Sequence, residues 1–350
     1  MIIWLLSLGD WFIVEILVLS KIKTIAILGD GAWGTTLAIH LVKKKYSVRL
    51  WGPFPEYLRE IQKSRDNTKF LPGIEIPPQV ILTEQLEETL KDTQLVVLAI
   101  PSQYVRSILN QLKAFDFSSK TILSTVKGIE TESLMRISQL IYKELGKVSL
   151  AVLSGPTIAR EVALGIPTTA VVASPNPKLA QKLQNVFHSD TFRIYTNRDM
   201  VGAELGGSVK NIIAIACGVC DGLGFGTNAK AAILTRGLAE MARFGVALGA
   251  KSQTFTGLTG LGDLVTTCFS PQSRNRSVGE QLGKGKSIDE ITSQMSMVAE
   301  GVSTVKAVYR LSRKRKVPMP ITTEVFNVIY KNKNPQKAVR DLMKRRVKAE

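Results

Sequence analysis

The sequence predicts an α/β fold: an N-terminal domain on a doubly wound parallel sheet over residues 23–200, followed by an all-α C-terminal domain over residues 201–350. Three observations carry this. From residue 23 short apolar runs alternate with amphipathic ones, as parallel βαβ units require. The glycine-rich stretch GDGAWG (29–34) falls where a strand hands over to a helix. After about residue 200 strand signal stops, and long helical patterns broken by turns such as GLGFGTN and TGLTGLGD replace it.

In chain order, residues 1–22 precede the fold. MIIWLLSLGDWFIVEILVLS is apolar but carries Asp10 and Glu15 and lacks a basic leading region, so a secretory signal is not expected. As a bilayer span it is barely long enough, and Asp10 near its centre costs roughly 2.5–3.5 kcal/mol. Membrane contact of residues 1–22 is therefore disfavoured, and the segment reads as an upstream extension. Then KTIAILG (23–29) reads as strand, WGTTLAIHLVKKK as helix, SVRLWG (47–52) as strand and PEYLREIQKS as helix. LVVLAIP (95–101) is a buried strand ended by Pro101, followed by the helix SQYVRSILNQLKAF. KTILSTV (120–126), SLAVLSG (149–155), PTTAVVAS and FRIYT complete the strands, separated by the helices ESLMRISQLIYKEL, TIAREVAL and KLAQKLQNVF.

Composition narrows the function. The 350 residues are 45% hydrophobic and 21% charged, which suits two packed domains. Three cysteines without framework spacing fit a reducing, cytoplasmic location. Cys217 and Cys220 lie late in an apolar helical run, and no second pair completes a metal site, so they read as core packing and no metal is expected. The net charge of +17 suits an anionic partner. Its clusters RLSRKRK (310–316) and MKRRVK (343–348) lack the interleaved aromatics of a single-strand binder, so a nucleic-acid partner is not expected. The sequence does not fix oligomeric state; a homodimer is compatible with it.

GDGAWG is a G-x-G-x-x-G placed where its mechanism requires. Gly29 allows the tight turn, Gly31 lets a pyrophosphate approach the backbone, and Gly34 lets helix pack on strand, with the helix N-terminus facing the phosphates. This is the Rossmann dinucleotide fingerprint. The second strand, however, ends in Gly52 and Pro53, without the carboxylate that selects NAD. The expectation is NADP or NAD, leaning to NADP or dual use.

GGSVKNIIAIACGVC (206–220) places one lysine in an otherwise uncharged run. On a helix Lys210 would face Gly206, Gly207, Ile213, Ala214 and Cys217, with no polar face to join. Taken alone, it reads as a lysine snorkelling to water.

GDGAWGT, VLAIPSQ, STVKGIE, LSGPTIAREV, LGGSVKNIIAIACG, LTRGLAEM, GLGDLVTTC, SRNR and AEGVST together resemble the NAD(P)-dependent sn-glycerol-3-phosphate dehydrogenases of bacterial type, in order from about residue 23 onward. The resemblance implies reversible hydride transfer between the nicotinamide and C2 of a small phosphorylated substrate, dihydroxyacetone phosphate or glycerol 3-phosphate, in support of phospholipid synthesis. A proton donor and acceptor at the C2 oxygen is then required. His40 and His188 lie outside glycine-rich settings, and the family's matching lysine gives the role to Lys210, with burial and Lys127 both lowering its pKa. Asn211 either orients the substrate oxygen or packs the helix.

By resemblance Lys127 touches cofactor and substrate, Gly155 and Thr157 touch substrate, and Ala159 lies near the nicotinamide. Asp263, Ser273, Arg274 and Asn275 are implied substrate residues, the last three a phosphate clamp. Cofactor contacts are implied for Gly29, Gly31, Ala32, Trp33, Gly34, Arg274, Val298 and Glu300. Two departures stand out: Ala32 replaces a polar residue before Trp33, and Pro53 replaces a His or Arg near the adenosine ribose. A β-hydroxyacid dehydrogenase shares the two-domain plan but needs a carboxylate site in place of the clamp. A non-enzymatic dinucleotide-sensing or nucleic-acid-binding protein would leave Lys210 dispensable.

Overall fold

The computed structural model describes residues 21–295 and 297–346. The expectations for residues 1–20 and for the end of the second basic cluster lie outside the described residues. Ile22 already packs into the core, just before the first strand.

The sheet has eight strands: β1 (Thr24–Leu28), β2 (Ser47–Trp51), β5 (Val80–Thr83), β6 (Leu95–Leu98), β7 (Thr121–Ser124), β8 (Ser149–Ser154), β9 (Thr168–Ala173) and β10 (Phe192–Asn197), in spatial order β10-β9-β8-β7-β6-β1-β2-β5. β1 lies at the centre, parallel to β2 on one side and β6 on the other. That reversal of strand order opens a crevice at the carboxyl ends of the strands, where GDGAWG sits. Apolar side chains fill both faces. Leu37, Leu41, Leu183 and Phe187 cover one, and Val105, Leu109, Leu140 and Ile141 the other.

Three local features depart from the sequence expectations. A hairpin of β3 (Asp66–Asn67) and β4 (Leu71–Glu75), the edge strand β5 and the short helix Leu86–Leu90 fill the stretch between the second helix and β6. The helix expected from Glu132 begins only at Ile137, because Leu134 adopts a left-handed conformation (φ 60°). Arg136 N–H then donates to Gln139 Oε1 (3.1 Å) at the new start. Third, β9 runs antiparallel to β8, so the sheet is mixed. After β8 the chain makes only the short helix Ala159–Ala163 and re-enters the sheet without crossing it, and such a return pairs antiparallel.

The helical part is organised around Met200–Gly222, in which every residue from Gly202 to Cys220 is buried. Its Asp199 cap accepts from Gly202 N–H (2.9 Å). Among the described residues it is the one helix long and apolar enough to cross a membrane, and its apolar window is wholly enclosed by protein. The helices Thr227–Ala247, Asp263–Phe269, Arg274–Gly283 and Glu300–Lys314 pack around it. The crossing with Arg274–Gly283 is close because a Cβ at Gly279 would lie 2.0 Å from Ile215 O. Cys217, Cys220 and Cys268 are all free thiols buried in this region.

Candidate active site

The glycine loop turns sharply at Gly29, whose φ is 120° and whose N–H donates to Trp51 O (2.9 Å). A side chain at Gly29 would strike Ala99 O at 2.5 Å, and one at Gly34 would strike Gly29 O at 1.9 Å. At Gly31 a Cβ would meet nothing within 4 Å. Two glycines thus serve the protein's own packing, whereas the third opens on the crevice at the N-terminus of the helix Ala32–Lys43. That cradle fits a dinucleotide pyrophosphate. Trp33 instead turns into the core, edge-on to Phe192, beside Ala32.

The loop is braced by residues outside the fingerprint. Asn67 from the β3–β4 hairpin donates to Asp30 O (2.7 Å) and to Thr35 Oγ1 (2.8 Å). Thr36 Oγ1 donates to Ala159 O (3.1 Å), joining the loop helix to the segment after β8. Asp30 is 5% exposed, and its Oδ2 has no hydrogen-bond partner among the described residues. Burial pushes its carboxyl up to about 6. It fits only because position 52 is glycine: a Cβ there would lie 2.4 Å from Asp30 Oδ2. A carboxylate therefore lies against the end of β2, contributed by the loop and not by the strand.

Facing this loop, the central helix brings Lys210 to the domain boundary. Lys210 is 5% exposed, and its ammonium pairs with Asp263 Oδ1 and donates to Thr267 Oγ1 (2.7 Å). Asp263 follows the π-helical turn Leu258–Gly262, and Thr267, one turn later on the same helix, donates to Asp263 O (2.6 Å). Burial is the main cause that lowers the Lys210 pKa to about 7; Asp263 opposes it and Lys127 reinforces it.

Lys127 reaches the same carboxylate from the sheet side, 2.8 Å from Asp263 Oδ2, and donates to Gly155 O (3.0 Å) with Thr157 Oγ1 at 3.5 Å. The two parts of the chain can come this close because a side chain at Gly207 would meet Ser154 Oγ at 2.8 Å. Asn211 lies beside Lys210 and donates to Lys127 O (3.4 Å), while its Oδ1 accepts from Asn275 Nδ2 (3.0 Å). Asn275 Oδ1 in turn accepts from Gly301 N–H (2.9 Å).

The three successive residues of the expected clamp turn to different partners. Ser273 caps its own helix by accepting from Arg276 N–H (3.2 Å), Asn275 faces the lysine helix, and Arg274 is exposed, donating to Val298 O (2.8 Å). Glu300 accepts from Ser102 N–H (3.1 Å) and Ser102 Oγ (2.6 Å), across from the loop that carries Lys127. Burial raises its pKa, against the Ser102 bonds that lower it. The histidines stand apart: His40 Nε2 bonds Phe187 O (2.7 Å), and burial lowers its pKa to about 4. Ser102, Thr267, Asn67 and Asp30 were not read from the sequence. Thr267 had a signal, since it lies four residues after Asp263 in GLGDLVTTC.

Lys127, Gly155, Thr157, Lys210, Asn211, Asp263 and Asn275 thus form one hydrogen-bonded group beside a dinucleotide cradle. A buried, pKa-lowered lysine there can exchange a proton with a substrate oxygen near neutral pH.

The family models described as NAD-dependent glycerol-3-phosphate dehydrogenase N-terminus and C-terminus match residues 24–180 and 199–340. A glycerol-3-phosphate dehydrogenase [NAD(P)+] of Chlorobium phaeobacteroides is 48% identical over 329 residues, covering 93% of this chain and 98% of that protein. One of Geobacillus kaustophilus is 47% identical over 331 residues, covering 94% and 96%. The crystal structure of glycerol-3-phosphate dehydrogenase from Coxiella burnetii superposes with a TM-score of 0.90 at 38% identity, covering 92% of this chain and 99% of that one. With both halves matched and relatives near half identity along almost their whole length, the chain belongs to the NAD(P)-dependent glycerol-3-phosphate dehydrogenase family.

Proposed function

We propose that the chain interconverts dihydroxyacetone phosphate and sn-glycerol 3-phosphate with NAD(P)H, with Lys210 as the proton donor and acceptor at the C2 oxygen. The observation that carries Lys210 is its burial beside Asp263, which leaves its pKa at about 7. When bound, the dinucleotide supplies or accepts the hydride at C2. Lys210 holds the proton that the new alkoxide needs, and Asp263 and Thr267 fix the direction of its N–H bonds.

Lys127, Asn211, Gly155 and Thr157 orient the substrate, and Asn275 holds the Asn211 amide in its rotamer. Arg274, exposed at the start of its helix with Ser273, offers a guanidinium fork to the phosphate and its far edge to the cofactor. The amides of Gly31, Ala32, Trp33 and Gly34 receive the pyrophosphate above the turn made by Gly29, with Ala159 near the nicotinamide and Val298 and Glu300 also on the cofactor. Both NADP and NAD are accepted, because neither Gly52 nor Pro53 carries a charge that selects one of them and the Asp30 carboxyl behind Gly52 is buried. The reaction runs in the cytoplasm and supplies glycerophospholipid synthesis.

The test follows oxidation of NADPH and of NADH with dihydroxyacetone phosphate as substrate. Turnover with at least one cofactor is expected. Its absence with both overturns the proposal.

A further inference from the structure

Residues 301–350 hold fourteen of the 46 lysines and arginines and three of the 29 acidic residues. The fold gathers much of that charge onto one face. The groove between the end of the helix Glu300–Lys314 and the helix Pro335–Met343 has Arg313 and Arg345 in its lining, so the two sequence clusters meet there, with Glu324 and Asp341 also lining it. The two described acids of this region, Glu324 and Asp341, both pair with Lys333. Arg313, Lys316, Arg340, Lys344, Arg345 and Arg346 are exposed and pair with no carboxylate among the described residues. Met343 projects among them, 81% exposed.

This face is remote from the chemistry. Glu300 begins its helix at the candidate site and Lys314 ends it about 22 Å away, at 1.5 Å per residue. The excess charge therefore does not belong to the substrate subsite. We propose that this basic face docks the enzyme on a membrane surface bearing anionic lipid headgroups. A cluster of lysines and arginines around an exposed apolar side chain fits such a surface, with charge supplying attraction and Met343 reaching the interface. A single-stranded nucleic acid fits less well. The nearest rings are engaged within the chain: Tyr309 stacks on Phe326, Phe326 is tilted against Tyr330, and Lys331 and Lys306 lie over Phe326 and Tyr330, an arrangement unlike an open stacking platform for bases.

Docking also has a chemical reason, which rests on the proposed reaction. Glycerol 3-phosphate becomes a lipid only when an acyl transfer attaches fatty chains to its hydroxyls, and the products of that class of reaction reside in the bilayer. An enzyme held at the surface with its site facing away releases product close to where it is consumed.

The test is co-sedimentation of the full chain with vesicles of phosphatidylcholine alone or mixed with phosphatidylglycerol, at low and high salt. Binding to the mixed vesicles at low salt, lost at high salt and weak on phosphatidylcholine, is expected. The variant Arg313→Gln/Lys316→Gln/Arg340→Gln/Lys344→Gln/Arg345→Gln should bind at least about 100-fold more weakly, with turnover of dihydroxyacetone phosphate unchanged. No binding to mixed vesicles, equal binding to both kinds, or an unaltered variant overturns the proposal. So does tighter binding of a single-stranded RNA oligonucleotide than of the vesicles. A chain that binds mixed vesicles but does not reduce dihydroxyacetone phosphate overturns the catalytic reading and leaves docking standing. The salt series on the unsubstituted chain decides the matter if the variant fails to fold.

Discussion

Lys210 and Lys127 share one carboxylate: Asp263 gives one oxygen to each, so two ammonium groups from different halves of the chain meet on a single acid. The pair is unequal. Lys210 is buried among helices and its pKa falls, with burial as the leading cause and Lys127 a lesser one. Removing Lys210 should leave the cradle intact. Lys210→Ala is expected to lower kcat by about 10²–10⁴, the usual worth of a positioned acid–base group, with NADH binding unchanged by fluorescence titration.

The pH dependence follows from the proton's direction. Ketone reduction consumes the ammonium form of Lys210, so its rate should fall as pH rises through about 7; alcohol oxidation needs the neutral amine and should fall as pH drops through about 7. Because Asp263 raises the lysine pKa, Asp263→Asn should move both limbs to lower pH. Initial rates in each direction across the pH range test this, and limbs that stay in place in the variant would contradict the assignment.

A second test concerns the glycine loop. A methyl at position 31 has open space in the protein and Gly31 has a φ of −69°, so Gly31→Ala should fold normally and leave the melting temperature close to that of the parent. It should weaken NADH by about tenfold or more, since the added carbon occupies the path of the pyrophosphate. Gly34→Ala, by contrast, should reduce stability, because its Cβ strikes Gly29 O. Calorimetric binding and thermal unfolding of the two variants separate these effects.

Much of this was legible in the sequence. The strand–helix alternation and the glycine fingerprint are local patterns, and they placed the sheet and cradle well. Lys210 was legible as an anomaly, a cation with no polar neighbours. Its partners were not: Asp263 lies 53 residues away, joined by tertiary packing that no local pattern encodes. The direction of β9 was equally hidden, since an apolar run reads the same both ways, and β3 is too short to show alternation. Asp30 escaped notice because its burial against Gly52 is a tertiary contact that the glycine fingerprint does not encode.

Stability should also carry a pH signature from a group outside the site. Glu240 is buried and accepts from Ile321 N–H (2.6 Å) and Thr322 N–H (3.3 Å) at the start of the helix Pro320–Tyr330, and burial pushes its pKa up to about 7 from 4.5. A carboxyl whose folded pKa is raised favours the fold most below about 4.5, and that contribution is lost as pH climbs through about 7. Glu240→Gln should abolish this component. Thermal melts from pH 4.5 to 8 should show the parent losing more stability than the variant, and parallel curves would remove the assignment.

The contacts that close the cleft differ in kind from those that anchor the two halves. Met200 and Ala203, at the start of the central helix, are embedded in the apolar core of the sheet. Across the cleft itself the ties include Lys127 to Asp263 and Glu300 to Ser102, both polar and both replaceable by water. Opening about the embedded helix start would therefore forfeit hydrogen bonds that solvent restores, and would also draw Ile129, on the loop that carries Lys127, out of the apolar core of the helical part. The cleft is a joint with a greased pivot and mostly wet teeth, in which the loop carrying Lys127 and Ile129 is gripped by both halves of the chain.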